Sequence, residues 1–304
     1  MPAAPPAVAP PSPLDALTPV LRRQLHRHCA RMTGSFFDGE DVLQDALLKA
    51  HEAATALSAP IANPGGWLFR IAHHAALDRL RQRRRDPVTF DADTDVGADA
   101  GEPASAAEVS DAERRWAVHA SLRTFVQLPP LQRGTVILAD VLGYSLEEVA
   151  EIIDRSLTAT KSALFRGRRR LEALAAQPAQ AAEPAPLETE HVALVKAYAE
   201  LFNGRHFDAL RDLLAQDIRV ELVGAAVLEG RELVTSRYFG NYSATAGWQA
   251  QAVRVDGEPA LVVRQAGRPS YFIAFGPSSA GVLHKLRDFR HAGYDVEGAD
   301  VQSL

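Results

Sequence analysis

From Asp86 to Asp111 the 304-residue chain is rich in Asp, Ala and Gly, has little periodicity, and carries few larger apolar groups, among them Val88, Phe90 and Val96. A stretch of that length with no face to bury reads as an extended acidic linker, so folded units are expected on either side of it. Gln177 to Pro186 is a second, Ala/Pro-rich interruption, and Met1 to Pro13 has the texture of a disordered tail. The predicted layout is a tail over 1–13, an all-helical unit over 14–86, a linker over 87–111, a second helical unit over 112–176, a linker over 177–189, and a domain of mixed character over 190–304. Two or three folded units suit a chain of this length.

Periodicity gives each unit its class. Leu17, Val20, Leu21 and Leu25, then Val42, Leu43, Ala46, Leu47 and Ala50, recur three and four apart, which predicts amphipathic helices broken near Gly34, with Asp38 or its neighbour capping the second. After a break at Asn63 to Gly66, a third helix is expected from about Trp67 into Arg79–Arg85. The second unit reads as helices near Ala112–Gln127, Pro130–Val141, Ser145–Asp154 and Thr158–Leu174. Beyond 190 come two helices, Val192–Asn203 and Phe207–Leu214. Runs at Ile218–Val223, Gln251–Val255, Ala260–Arg264, Ser270–Phe275 and Val282–Phe289 then alternate like strands, so this part is α+β.

The net charge of -5 conceals two cationic clusters, Arg79 to Arg85 and Arg166 to Arg170, set in an otherwise acidic chain. Two such clusters suit two separate contacts with one polyanion. The stretch Ser145 to Arg168 has the form helix, tight turn, helix: Val149, Ala150 and Ile153 face inward on the first helix, and the second begins with polar and basic residues before its arginines. A helix-turn-helix docks in this way, with the start of its second helix on base edges and flanking basic groups on phosphates. A plain helical hairpin with a solvated charged face shares part of this pattern, but the Thr160-Lys161-Ser162 start and the one-sided basic run favour the DNA-binding form. The single cysteine, Cys29, reads as a small buried side chain. No apolar run approaches the ~20 residues needed to cross a bilayer and no leader pattern opens the chain, so a soluble, cytoplasmic protein without membrane contact is expected.

Leu128 to Arg133, Gly143 to Ala150, and Thr160 through Arg168 resemble region four of extracytoplasmic-function (ECF) sigma factors. His28 to Ser35, Asp38 to Ala50, and Gly66 to Arg81 are similar to that family's region two. The resemblance implies two all-α sigma domains, a region 2 helical bundle and a region 4 helix-turn-helix, covering roughly 14–175. It implies that Asp38, Asp41, Gln44, Asp45 and Lys49 dock on the clamp helices of the RNA polymerase largest subunit. Phe69, Arg70, His73, His74, Arg81, Arg83 and Arg84 would capture the melted minus-ten element, where single-stranded bases are held by stacking and a cationic groove. Lys161, Ser162, Phe165 and Arg166 would read the minus-thirty-five element, with Arg168, Arg169 and Arg170 on phosphates.

Tyr198 to Asn203, Phe207 to Asp217 and Leu286 to Arg290 resemble the SnoaL-like domain, a curved sheet and helices closing a conical pocket. In some sigma factors such a domain contacts the sigma core and sets its activity. His284, Asp288 and Arg290 fall on one face of the last predicted strand and form a possible ligand pocket. Two other classes stay open: a helix-turn-helix regulator that never joins polymerase, and a SnoaL-like enzyme fused to a DNA-binding module, with His206 and Asp217 as further acid–base candidates. No cofactor, metal or catalytic residue is needed for the sigma reading.

Overall fold

The computed structural model describes residues 12–56, 59–85, 117, 120–176, 188–266, 268–279, 281–294, 296 and 299–304. The acidic linker and the tether at 177–186 therefore lie outside the described residues. The chain forms two compact units. Of the described residues, the first takes in 12–34, 38–56, 59–85, 117, 120 and 124–176.

Ser12, Thr18, Ser145 and Ser156 cap the helical segments that follow them, as short hydroxyl side chains do for orphan N–H groups. In this unit α1 (Pro19–Thr33) starts with proline in its first turn and ends on Gly34 in the left-handed region, φ 81°. It is followed by α2 (Phe36–Thr55), which starts six residues before Val42 so that Asp38 lies in its first turn instead of capping it, and by α3 (Pro64–Arg85), which starts three residues before Trp67. Then come α4 (Leu122–Val126) and α5 (Pro130–Val136), the latter running on through a π turn, Ile137–Val141. The last pair is α6 (Leu146–Ile153) and α7 (Leu157–Ala175). The core gathers Leu25, Cys29 and Met32 from α1, Leu43 from α2, Phe69 from α3, Phe125 from α4, Val136 to Leu138, and Val149 from α6, all fully buried. Each large apolar side chain buried in this way contributes ~1.5–3 kcal/mol. Arg133 ties the unit together through its guanidinium, which donates to the carbonyls of Met32, Val126 (2.7 Å) and Leu128 (2.9 Å).

The second unit comprises Ser35–Phe37, Ser121–Arg123 and the described residues from 188 to 304. Its described strands are β1 (Leu214–Leu222), β2 (Ala226–Glu229), β3 (Trp248–Val255), β4 (Glu258–Gln265), β5 (Arg268–Phe275), β6 (Ser278–Ser279), β7 (Val282–Asp288) and β8 (Val301–Ser303). They form one mixed sheet in the order β2-β1-β7-β5-β4-β3-β8, with β6 on β7. Only the β1–β7 pairing is parallel; the others are antiparallel. On one face lie α8 (Thr189–Asn203), α9 (Phe207–Asp212) and the helical run α10 (Arg231–Leu233), a π turn over Val234–Phe239, and α11 (Gly240–Ser243). Leu194, Val195, Tyr198, Ala199 and Phe202 make the helical stripe that α8 buries against Ala250, Leu261, Val263, Ile273 and Leu286 of the sheet. Alternate residues bury the opposite face, where Phe36 packs edge-on against Phe272 (centroids 5.0 Å) and Phe289 (5.2 Å) within this unit.

The α+β reading holds, with local differences. Leu214, expected at a helix end, is the buried first residue of β1. β2 and the run 231–243 went unread, because short helical pieces joined by a π turn leave only Val234, Tyr238 and Tyr242 at four-residue spacing as a signal.

Candidate nucleic-acid interface

The helix-turn-helix is built from its caps inward. The Ser145 hydroxyl accepts from the Glu148 N–H (3.2 Å) while the Glu148 carboxylate accepts from the Ser145 N–H (2.9 Å), a reciprocal box that starts α6. Asp154, φ 56°, ends it in the left-handed region, and the Ser156 hydroxyl accepts from Ala159 N–H (3.2 Å) to start α7. Val149, Ala150, Ile152 and Ile153 bury the inner side of α6, and Thr160, Ala163, Leu164, Gly167 and Leu171 the inner side of α7. Thr160, not expected to read bases, is fully buried with its hydroxyl on Ser156 O.

The residues expected to read the minus-thirty-five element share the outer side of α7 with Thr158, Glu172 and Ala173. Lys161, Phe165, Arg166, Arg169 and Arg170 are exposed and Ser162 is half-buried beside them. Phe165 keeps half of its surface accessible, unusual for a phenylalanine, with the Arg169 guanidinium 5.9 Å from its ring centroid. Arg168 differs from its neighbours. It forks onto Asp140, Nε to Oδ2 at 2.9 Å and a terminal nitrogen to Oδ1 at 2.5 Å, and Asp140 is almost wholly enclosed.

On α3 the predicted minus-ten set divides. Phe69 is fully buried, its ring edge-on to Tyr144 at 5.0 Å. Arg70 donates from Nε (3.0 Å) and a terminal nitrogen (2.6 Å) to the Glu151 carbonyl, at the electronegative end of α6. His73 is buried against His28, Nδ1 to Nε2 3.4 Å, and against Gly134, where an added Cβ would stand 2.6 Å from the imidazole Cε1. Burial lowers both imidazoles, His28 to about 3, so the pair is neutral. His74 is exposed and donates from Nδ1 to Arg70 O at 2.8 Å. Arg81 and Lys49 share Asp78 (3.0 and 3.5 Å), and Arg83 (2.5 Å) and Arg79 (3.6 Å) share Asp38. The Arg84 side chain lies outside the described residues.

Among the expected polymerase contacts, Asp45 and Lys49 are exposed, Asp41 and Gln44 half-buried, and the Gln44 amide donates to Glu40 at 3.1 Å. Leu48, which sequence reasoning missed, stands with 63 % of its surface accessible between Asp45 and Lys49.

The pocket candidates are not gathered together. Asp288 is buried, its Oδ2 accepting from the hydroxyls of Tyr238 (2.9 Å) and Tyr242 (2.6 Å) and its Oδ1 from Arg290 N–H (2.8 Å). The Tyr242 hydroxyl is also 2.8 Å from that of Tyr271, and the Arg290 guanidinium lies 5.3 Å from the Tyr242 ring centroid. Burial raises Asp288, against the downward pull of its hydroxyl and N–H donors. His284 is about 13 Å along β7 by the strand rise, on Ser279 Oγ (2.7 Å) and Asp217 (3.4 Å). Each Asp288 oxygen is satisfied from within, so the cluster acts first as a tie between the sheet and the run 231–243.

An enclosed apolar seam beneath an exposed aromatic and arginine face defines a helix-turn-helix protein of the nucleic-acid-binding class. Residues 20–86 match the family model described as Sigma-70 region 2, and residues 122–171 the one described as Sigma-70, region 4. The chain is 34 % identical over 152 residues to the ECF RNA polymerase sigma factor SigM of Mycobacterium tuberculosis, covering 50 % of this chain and 71 % of that protein. It is 31 % identical over 221 residues to SigG of the same species, 67 % of this chain and 59 % of that protein's length. The crystal structure of M. tuberculosis extracytoplasmic function sigma factor SigJ covers 89 % of this chain and 94 % of its own at 22 % identity, with a TM-score of 0.35. The chain belongs to the ECF RNA polymerase sigma factor family.

Proposed function

We propose that the chain binds core RNA polymerase in the cytoplasm and directs initiation at promoters with two recognition elements, and that its C-terminal unit modulates this activity without catalysing a reaction. The observation that carries the reading is α7: Ala163, Leu164, Gly167 and Leu171 are buried, while Lys161, Phe165, Arg166, Arg169 and Arg170 are exposed on the same helix. An exposed phenylalanine among arginines costs solubility and serves stacking or methyl contact with bases. On this reading α2 docks on the clamp helices of the polymerase largest subunit through Asp38, Asp41, Gln44, Asp45 and Lys49, with Leu48 as an apolar anchor. α7 takes the minus-thirty-five duplex and α3 the melted minus-ten strand.

Phe69, Arg70 and His73 are engaged by Tyr144, Glu151 and Gly134. Strand capture through those three side chains therefore requires α3 to part from α5, Tyr144 and α6. On the same reading the C-terminal unit modulates initiation by contact with the sigma regions.

The test is reconstituted transcription with core RNA polymerase on a pool of promoter fragments, comparing the full chain with one truncated at Gln177. Initiation by either form supports the reading, and their difference gives the sign of modulation. Failure of both to bind polymerase or initiate overturns it in favour of a regulator or an enzyme fused to a DNA-binding module.

A further inference from the structure

Arg168 lies in the middle of the basic run Arg166 to Arg170, yet its surroundings separate it from the others. Its side chain is 16 % accessible and both ends of its planar fork are taken by one carboxylate, Asp140, whose side chain is 1 % accessible. A bidentate guanidinium–carboxylate pair fixes distance, angle and plane together. Asp140 is itself held in the π turn Ile137–Val141, where Leu142 N–H donates to Ile137 O across five residues at 3.0 Å. One residue earlier on α7, Gly167 sits so close to α5 that a Cβ would meet Val136 Cγ2 at 2.6 Å and Gln132 O at 3.2 Å. The bare backbone at Gly167 and the fork at Arg168 thus set the depth and rotation of α7 at adjacent positions. Enclosed ion pairs add little net stability, because desolvation offsets most of their attraction, so geometry is what such a pair supplies.

Building on the initiation reading, we propose that Asp140 and Arg168 are a positioning pair for recognition helix α7, and that Arg168 does not neutralise a phosphate. The pair holds Lys161, Ser162, Phe165 and Arg166 at the angle at which they meet base edges, and leaves Arg169 and Arg170 for the phosphates. A consequence separates this from a contact role: Asp140, a carboxylate beside a DNA-binding surface, helps recognition instead of opposing it.

The experiment uses the full chain with core RNA polymerase and a duplex whose minus-thirty-five sequence the wild-type chain selects from a randomised pool. Binding is compared with a scrambled minus-thirty-five at several salt concentrations. R168A and D140N are each expected to lower discrimination about tenfold, and the double variant no further. The slope of log K against log salt is expected to stay unchanged in both, whereas R169A lowers it by about one, as loss of one phosphate contact does. R168K keeps the charge but not the fork and is expected to behave like R168A. The assignment is overturned if R168A lowers the slope by about one, R168K restores binding and D140N tightens it. Thermal melting of each variant monitors folding, and if D140N does not fold, the contrast between R168K and R168A decides. A wild-type chain that selects no sequence sinks the initiation reading and this assignment with it; intact selection with the overturning pattern sinks this assignment alone.

Discussion

Two buried titratable sites give the protein opposite responses to pH. His28 and His73 are held neutral, His28 down to about 3 from 6.5. The unfolded chain therefore binds the extra protons between those values, and the stability these groups confer is complete above 6.5 and is lost as pH falls toward 3. The slope is up to about 1.4 kcal/mol per pH unit for each group. Urea unfolding of wild type and H28F at pH 7, 6 and 5 is expected to show a shallower acid loss in H28F; equal slopes would remove His28 from the account. Asp288 has the reverse sign, since burial raises it above 3.8. Its neutral form suits the folded state, so the stability it confers is present below 3.8 and declines as pH rises through the raised value. The stability difference between D288N and wild type is expected to shift in favour of D288N from pH 4 to pH 7, read by the same unfolding curves. Cys29 is buried and its thiol pushed up by burial, so it is expected to resist a thiol-alkylating reagent in the folded protein and to react in urea, followed by mass spectrometry.

Among the elements, α7 depends most on single atoms. A methyl at Gly167 has the backbone oxygen of Gln132 at 3.2 Å and the Val136 side chain at 2.6 Å. G167A is expected to destabilise by ~1–3 kcal/mol, as overpacking does, and to reduce minus-thirty-five discrimination along with it; a drop in stability with recognition untouched would show that the helix seat does not set the reading angle. The start of α6 depends on Ser145, whose replacement by alanine is expected to cost ~1 kcal/mol in urea unfolding. Both elements were legible in advance, because Ser145 three residues before Glu148, and apolar residues three and four apart, are local signals. The run 231–243 was not, since its Tyr238 and Tyr242 acquire their role only by meeting Asp288 from β7.

At the scale of the whole molecule, the placement of Phe69, Arg70 and His73 separates composition from use. Y144A removes the ring packed on Phe69. It is expected to bind a single-stranded oligonucleotide of the minus-ten non-template strand more tightly than wild type, measured by fluorescence anisotropy, whereas unchanged affinity would mean that the buried face of α3 takes no part in capture. The sequence by itself determined most of the helical elements and most of the strands, the helix-turn-helix with its outward-facing Lys161, Phe165 and Arg166, and the change from helical to α+β texture near residue 190. Those are properties of spacing, caps and turn residues that neighbours along the chain settle between themselves. Only tertiary structure decided that Arg168 belongs to Asp140, that Phe69 and His73 are enclosed, and that His284 stands apart from Asp288. Each depends on which distant side chain arrives to pair with or cover a residue, and arginines in a run, or aromatics on a helix, look alike until that partner is in place.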